Sequence, residues 1–278
     1  MTFSTPQNFF YAGGTWDMSW IDWIWDNIAP DTRVEKNLPG PRTYREALAA
    51  WKSEGASMLN TLPLLDLKPL REVAPYYFDW LRHPPEDSWW NWSELRDKYA
   101  RTSAAVLNLS AWYDDNYGPE GATTNYLGLV TARAGGNDAR THLLLGPRVH
   151  GVDSTAKTRS GEREFGPAAA IDYDDVVLRW MDHYVKGADN GVTREKPVRY
   201  FVMGRNEWRD ADQWLPAATE MRMFLAAPRR LQNTPAENAS SLSEFVSDPS
   251  HPVTNPYELS GARLCKTVRS SRCLDVRL

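Results

Sequence analysis

At 278 residues, 42% of them apolar, the chain is long enough for one large domain or two and can bury a real core. A net charge of −4 and an isoelectric point near 5.8 argue against a nucleic-acid partner, whose contact face would show as clustered Lys and Arg. There is no Gly-rich phosphate loop, no Cys/His ligand cluster and no apolar run near the ~20 residues of a membrane span, so no cofactor, metal or membrane partner is expected.

The first residues, Met1 to Asn8, show no basic stretch followed by an apolar one, so a cytoplasmic location is the default expectation for this chain. Residues 1–98 read as a mostly helical, tryptophan-rich region. Trp16, Trp20, Trp23 and Ile24 recur at intervals of three and four, which predicts one helical face, with Asp17, Asp22 and Asp26 largely elsewhere. A second helix is predicted from Arg42 to Met58, with Tyr44, Leu48 and Trp51 on one side. Pro63, Pro69, Pro75, Pro84 and Pro85 then cut the region into short segments. A Trp stripe at helical spacing is core far more often than pocket lining.

Two apolar runs follow. Ala104 to Leu109 breaks into the turn-prone stretch Ser110 to Gly118, which puts Asp114 just past a strand end. His142 to Leu145 is expected to stop at Gly146-Pro147, with His150 in the resulting loop. A helix is predicted from Tyr173 to Lys186, with Val176, Val177, Trp180, Met181 and Tyr184 on the stripe that packs against a sheet. An acid followed by a histidine, each at the carboxyl end of a strand, is the order of the back half of an α/β-hydrolase triad. No Gly-x-Ser-x-Gly supplies the serine. A cysteine does not replace it, since Cys265 and Cys273 both lie in the last fourteen residues. By themselves, a loop Asp beside Asn is also a common turn former and a loop histidine is usually at the surface.

From about Pro197 the pattern changes to period two. Val198 to Met203, Met221 to Ala226 and Leu242 to Val246 are short strand candidates, as at the start of a β-sandwich. They are too few to complete one of about eight strands. After Gly261 the chain turns basic, with five Lys or Arg against the single acid Asp275. A disordered basic tail and a frameshifted or premature end are equally open readings.

Five stretches, in order, resemble one serine hydrolase family, that of X-Pro dipeptidyl-peptidases, cocaine-esterase-type hydrolases, glutaryl-cephalosporin acylases and α-amino-acid ester hydrolases. They are His83 to Trp90, Trp112-Tyr113-Asp114, Gly146 to His150, Trp180 to Gly187 with Asp189 to Gly191, and Val198 to Trp208. The likeness runs from about Phe9 to Leu259 and matches the family's middle and later parts. The expected fold class is therefore α/β plus β: a partial α/β-hydrolase, made of cap helices and the last sheet strands, followed by an incomplete jelly-roll β-sandwich. The expected division is a helical cap at 1–98, the end of the catalytic domain at 99–192, the start of the jelly roll at 193–260, and an atypical basic tail at 261–278.

The resemblance makes His150 the general base and Asp114 its orienting acid, with Asp115 the rival that only the Trp-Tyr-Asp match sets aside. Trp112, Tyr113 and Tyr117 become candidates for the substrate pocket, while His83 and His183 fall in motifs read as structural. The family's Gly-x-Ser-Tyr-Gly-Gly, its oxyanion N–H and an upstream tyrosine donor are expected before Met1. In α-amino-acid ester hydrolases a Glu-Asp pair follows the acid to hold the substrate ammonium. Asn116 and Tyr117 stand there instead, which puts a strict α-amino acyl preference in doubt. Arg148 replaces a tryptophan common in the family and is expected at the pocket rim.

These features imply a hydrolase of small-molecule acyl esters or X-Pro peptide bonds, inactive alone because the serine is lacking. One alternative is half of a split enzyme, partnered by an upstream polypeptide that carries the nucleophile. Another is a non-catalytic binding or structural protein that keeps the fold.

Overall fold

The helical region packs around its aromatic rings, from Phe9 and Phe10 to Trp89 and Trp90. A computed structural model describes residues 9–12, 14–114, 118–133, 139–161, 163–216, 219–226, 230–235, 246 and 248. A two-stranded turn, β1 (Tyr11–Ala12) with β2 (Thr15–Trp16), leads into α1 (Ser19–Trp23), which passes through a π-helical turn at Ile24–Ile28 into α2 (Ala29–Glu35). Helices α3 (Tyr44–Leu59) and α4 (Pro75–Arg82) follow. Thr43 and Glu46 start α3 with a reciprocal capping box, and Pro75 starts α4, where its missing N–H costs nothing. The Phe10 ring is enclosed by Trp80 at 4.5 Å, Trp90 at 4.7 Å and Trp20 at 5.3 Å between centroids.

Of the predicted stripe, Trp20 and Ile24 are buried and Trp16 is half-buried against the same core, but Trp23 departs from it. A π turn spends an extra residue, so the helix faces the core with Ile21, Ile24 and Trp25, while Trp23 is 43% exposed. Asp22 and Asp26, expected off that face, are buried. In α3 the buried face is Ala47, Trp51, Gly55 and Met58, and Tyr44 lies outside it, exposed. Packing decides this: the Trp51 indole lies over Gly55, where a Cβ would come 2.6 Å from the ring.

The second half is a mixed sheet between helices. Its elements are β3 (Val106–Tyr113), α5 (Gly118–Ala132), β4 (Thr141–Val149), the small hairpin β5 (Arg159–Ser160) and β6 (Arg163–Glu164), α6 (Tyr173–Lys186), β7 (Val198–Val202) and β8 (Glu207–Ala211). The strand order is β3-β4-β7-β8, with the first three parallel and β8 antiparallel. Every residue of β4 is buried, as expected for an inner parallel strand covered on both faces. Leu143 and Leu145 pack with Ala122 and Tyr126 of α5, and on the other side His142 meets Trp180 of α6 at 5.0 Å.

Helix α6 has the predicted bounds. The Asp172 carboxylate accepts from the Asp175 N–H at 3.0 Å, and Gly187, at φ 74°, ends the helix with its N–H on His183 O. Trp180 is buried and Val176, Val177 and Tyr184 are half-buried, but Met181, predicted on the same stripe, is 48% exposed.

Two strand expectations are corrected. Gly146-Pro147 does not end the second strand, because β4 continues through Val149. β7 pairs only with Leu143 to Leu145, and opposite β3 the ladder bulges beyond Gly146, so Pro147 sits where no ladder N–H is required. The run at Val198 does not open a separate sandwich. As β7 it joins β4 in parallel, carrying the sheet past the expected boundary at 192. Only β9 (Phe224–Ala226) and β10 (Arg230–Gln232) form a hairpin of their own. Most of the predicted strand at Leu242, His251, both cysteines and the basic tail lie outside the described residues.

Candidate active site

Two neighbouring parallel strands end side by side, and each delivers one polar side chain. Pairing advances from Ala111 with Gly146 to Tyr113 with Val149, so β4 takes three steps where β3 takes two. The extra β4 residue resets the register so that the residues after the last pair, Asp114 and His150, face one another. His150 Nδ1 lies 3.1 Å from Asp114 Oδ1 and 3.3 Å from Oδ2. The Asp114 side chain is 7% exposed and that of His150 is 40% exposed, an enclosed carboxylate holding an accessible imidazole.

The loop after His150 is held locally. Gly151 adopts φ 99°, a conformation that a side chain would strain. The Ser154 hydroxyl lies 2.7 Å from the Val149 carbonyl and 2.6 Å from that of Gly151, so it spans the residues on either side of His150.

Beside the pair is a cavity of about 540 Å³, lined by Asp114, Arg148, His150, Val152, Val177 and Trp180 among others. Its size suits a small-molecule ligand, and most of its wall is apolar. Arg148, expected at the pocket rim, is instead in the wall and only 4% exposed. Burial pushes its guanidinium down to about 10, opposed by Tyr173 nearby. Among the described residues, neither Nη1 nor Nη2 finds a hydrogen-bond partner.

The remaining candidates are placed as follows. Trp112 donates its indole N–H to Phe201 O at 2.8 Å and packs near Trp214, and Tyr113 lies beside Phe165; neither lines this cavity. Tyr117, like Asp115 and Asn116, falls outside the described residues. His83 stacks on Trp89 and meets Asp87 at 2.9 Å, while His183 Nδ1 reaches Ala188 O at 2.7 Å, both local fastenings. The buried serines near the pair all donate to backbone carbonyls: Ser110 to Gly118, Ser154 as above and Ser160 to Pro147. Sequence reasoning missed Ser154, Tyr173 and the burial of Arg148, none of which carries a local signal. Among the described residues no His, Cys, Asp and Glu cluster could hold a metal ion, and no helix is long and apolar enough to cross a membrane.

Known proteins share this fold. Two solved structures align over 91% of this chain: an aminopeptidase from a marine-sediment Thaumarchaeota archaeon (TM-score 0.62, 19% identity, 40% of that chain) and an α-amino acid ester hydrolase (TM-score 0.63, 22% identity, 41% of that chain). A serine esterase of Mycobacterium bovis is 35% identical over 147 residues, 53% of this chain and 22% of its own length. The cocaine esterase of a Rhodococcus species is 26% identical over 219 residues, 74% of this chain and 36% of its own. The chain thus spans between a fifth and two-fifths of the length of these relatives. By family it is a hydrolase. It belongs to the X-Pro dipeptidyl-peptidase (S15) family, whose model matches residues 7–152.

Proposed function

We propose that this chain carries the acid and the base of a serine hydrolase that cleaves acyl esters or X-Pro peptide bonds. The observation that carries the reading is the His150–Asp114 contact through Nδ1. With Nδ1–H donated to the carboxylate, the lone pair is on Nε2, the nitrogen that accepts a proton from a serine and returns it to the leaving alcohol or amine. Asp114 holds the ring in that tautomer and stabilises the imidazolium formed as the acyl bond is attacked. The aminopeptidase and ester-hydrolase activities named for its neighbours are consistent with either bond type.

The nucleophile is supplied by polypeptide beyond these 278 residues, because the sequence holds no Gly-x-Ser-x-Gly and the buried serines near the pair are committed to backbone. Whether the segment is continuous with this chain or a separate polypeptide, the chemistry is the same. Residues 1–98 then form a cap over the site, the sheet is the end of an α/β-hydrolase domain, and β9 with β10 opens a jelly-roll sandwich.

A fluorophosphonate probe tests the reading, with p-nitrophenyl esters and X-Pro p-nitroanilides as substrates. The chain alone should stay unlabelled and inactive. Together with the nucleophile-bearing segment it should turn over one substrate class, and His150→Ala should abolish that turnover. Labelling of the chain alone, or turnover indifferent to His150→Ala, overturns it.

A further inference from the structure

Taking the cavity beside His150 as the substrate site, we propose that Arg148 binds a carboxylate carried by the substrate, so that the enzyme selects acyl groups bearing a second, anionic end. A guanidinium is always charged near neutral pH, and a buried charge without a partner is strongly unfavourable. Arg148 is 4% exposed, and among the described residues both its terminal nitrogens lack a hydrogen-bond partner. Such a group waits for an anion. Two adjacent N–H donors match the two oxygens of a carboxylate, the strongest neutral-pH pairing open to Arg.

The surroundings are built for the guanidinium rather than around an accident of packing. Its carbon lies over Gly146, where a Cβ would come 3.0 Å from Cζ and crowd the guanidinium. Among the described residues, the one acid lining the cavity is Asp114, and it is engaged with His150. The rest of the wall near Arg148, with Val149, Val152, Val177 and Trp180, offers apolar contact to the body of an acyl group. Tyr173, at the first turn of α6, lines the same cavity and acts electrostatically on the guanidinium.

Phenylacetate and the uncharged, nearly isosteric phenylacetamide are the probes, titrated into the full chain by calorimetry. Phenylacetate should bind about tenfold or more tightly than the amide, the size of a charge-assisted hydrogen bond. Arg148→Gln should erase that preference, Arg148→Lys should keep a reduced one, and Tyr173→Ala should keep it in full. Equal binding of acid and amide by the native chain, or an undiminished preference in Arg148→Gln, overturns the proposal. Should Arg148→Gln not fold, loss of preference in Tyr173→Ala or full preference in Arg148→Lys overturns it equally. His150→Ala separates the two readings: it should leave carboxylate binding intact, so failure of catalysis there says nothing against Arg148, and failure of anion binding says nothing against the triad.

Discussion

Asp114 and His150 stand 36 positions apart in the chain, yet their side chains meet at 3.1 Å because β3 and β4 are adjacent, parallel and offset by one bulged residue. In the reconstituted enzyme Asp114→Asn should lower kcat by about 10³ to 10⁴ with KM little changed, since the wrong tautomer of His150 would face the nucleophile. Steady-state ester hydrolysis reads this directly. A loss below tenfold would mean that the contact only braces the loop.

Gly151→Ala isolates the loop geometry. Nothing lies within 4 Å of a Cβ built there, so the substitution acts only through its φ of 99°. It should cost about 1–2 kcal/mol and, by moving His150, reduce activity more than stability. Chemical denaturation and turnover measured side by side distinguish the two effects.

Gly128→Ala probes the join between the helical region and the sheet. At Gly128 of α5 a Cβ would fall 2.1 Å from the Tyr99 ring, and the Tyr99 hydroxyl donates to Asn125 Oδ1 at 2.9 Å in the same buried contact. The overpacked variant should be destabilised by about 1–3 kcal/mol. An unchanged midpoint of thermal unfolding would show that Tyr99 moves aside freely.

His142 is buried against Trp180, and burial holds its imidazole below the ordinary value of 6.5 despite Glu195 nearby. The unfolded chain therefore takes up a proton that the folded one refuses. Folded stability is unaffected well above pH 6.5 and falls as the pH drops through that value. His142→Leu should flatten this acid limb between pH 7 and 5, measured by urea unfolding at each pH. A native curve already flat across that window would contradict the assignment.

Much of this protein was legible locally. The helix predicted from the stripe of Val176, Val177, Trp180 and Tyr184 has the bounds observed for α6, where Asp172 and Gly187 cap it within one turn at each end. Asp114 and His150 were legible for a similar reason: each follows an apolar run, and each lies in a motif whose order along the chain survives without knowledge of the fold. What depended on partners distant in sequence was misread. Once a π turn intervened, Trp23 turned outward and Asp22 and Asp26 inward, and Gly146-Pro147 continued a strand because its neighbours do not ask Pro147 for a hydrogen bond.

The sequence by itself determined the positions of Asp114 and His150, each after an apolar run, and the bounds of α6, because these rest on patterns within a short stretch of chain. Only the tertiary structure decided that Val198 to Val202 belongs to the same sheet as β4, that the strand ends bring Asp114 against His150, and that Arg148 is enclosed with no hydrogen-bond partner for its terminal nitrogens among the described residues. Strand pairing and burial are set by what lies across the sheet, and a chain read residue by residue carries no record of its neighbours in space.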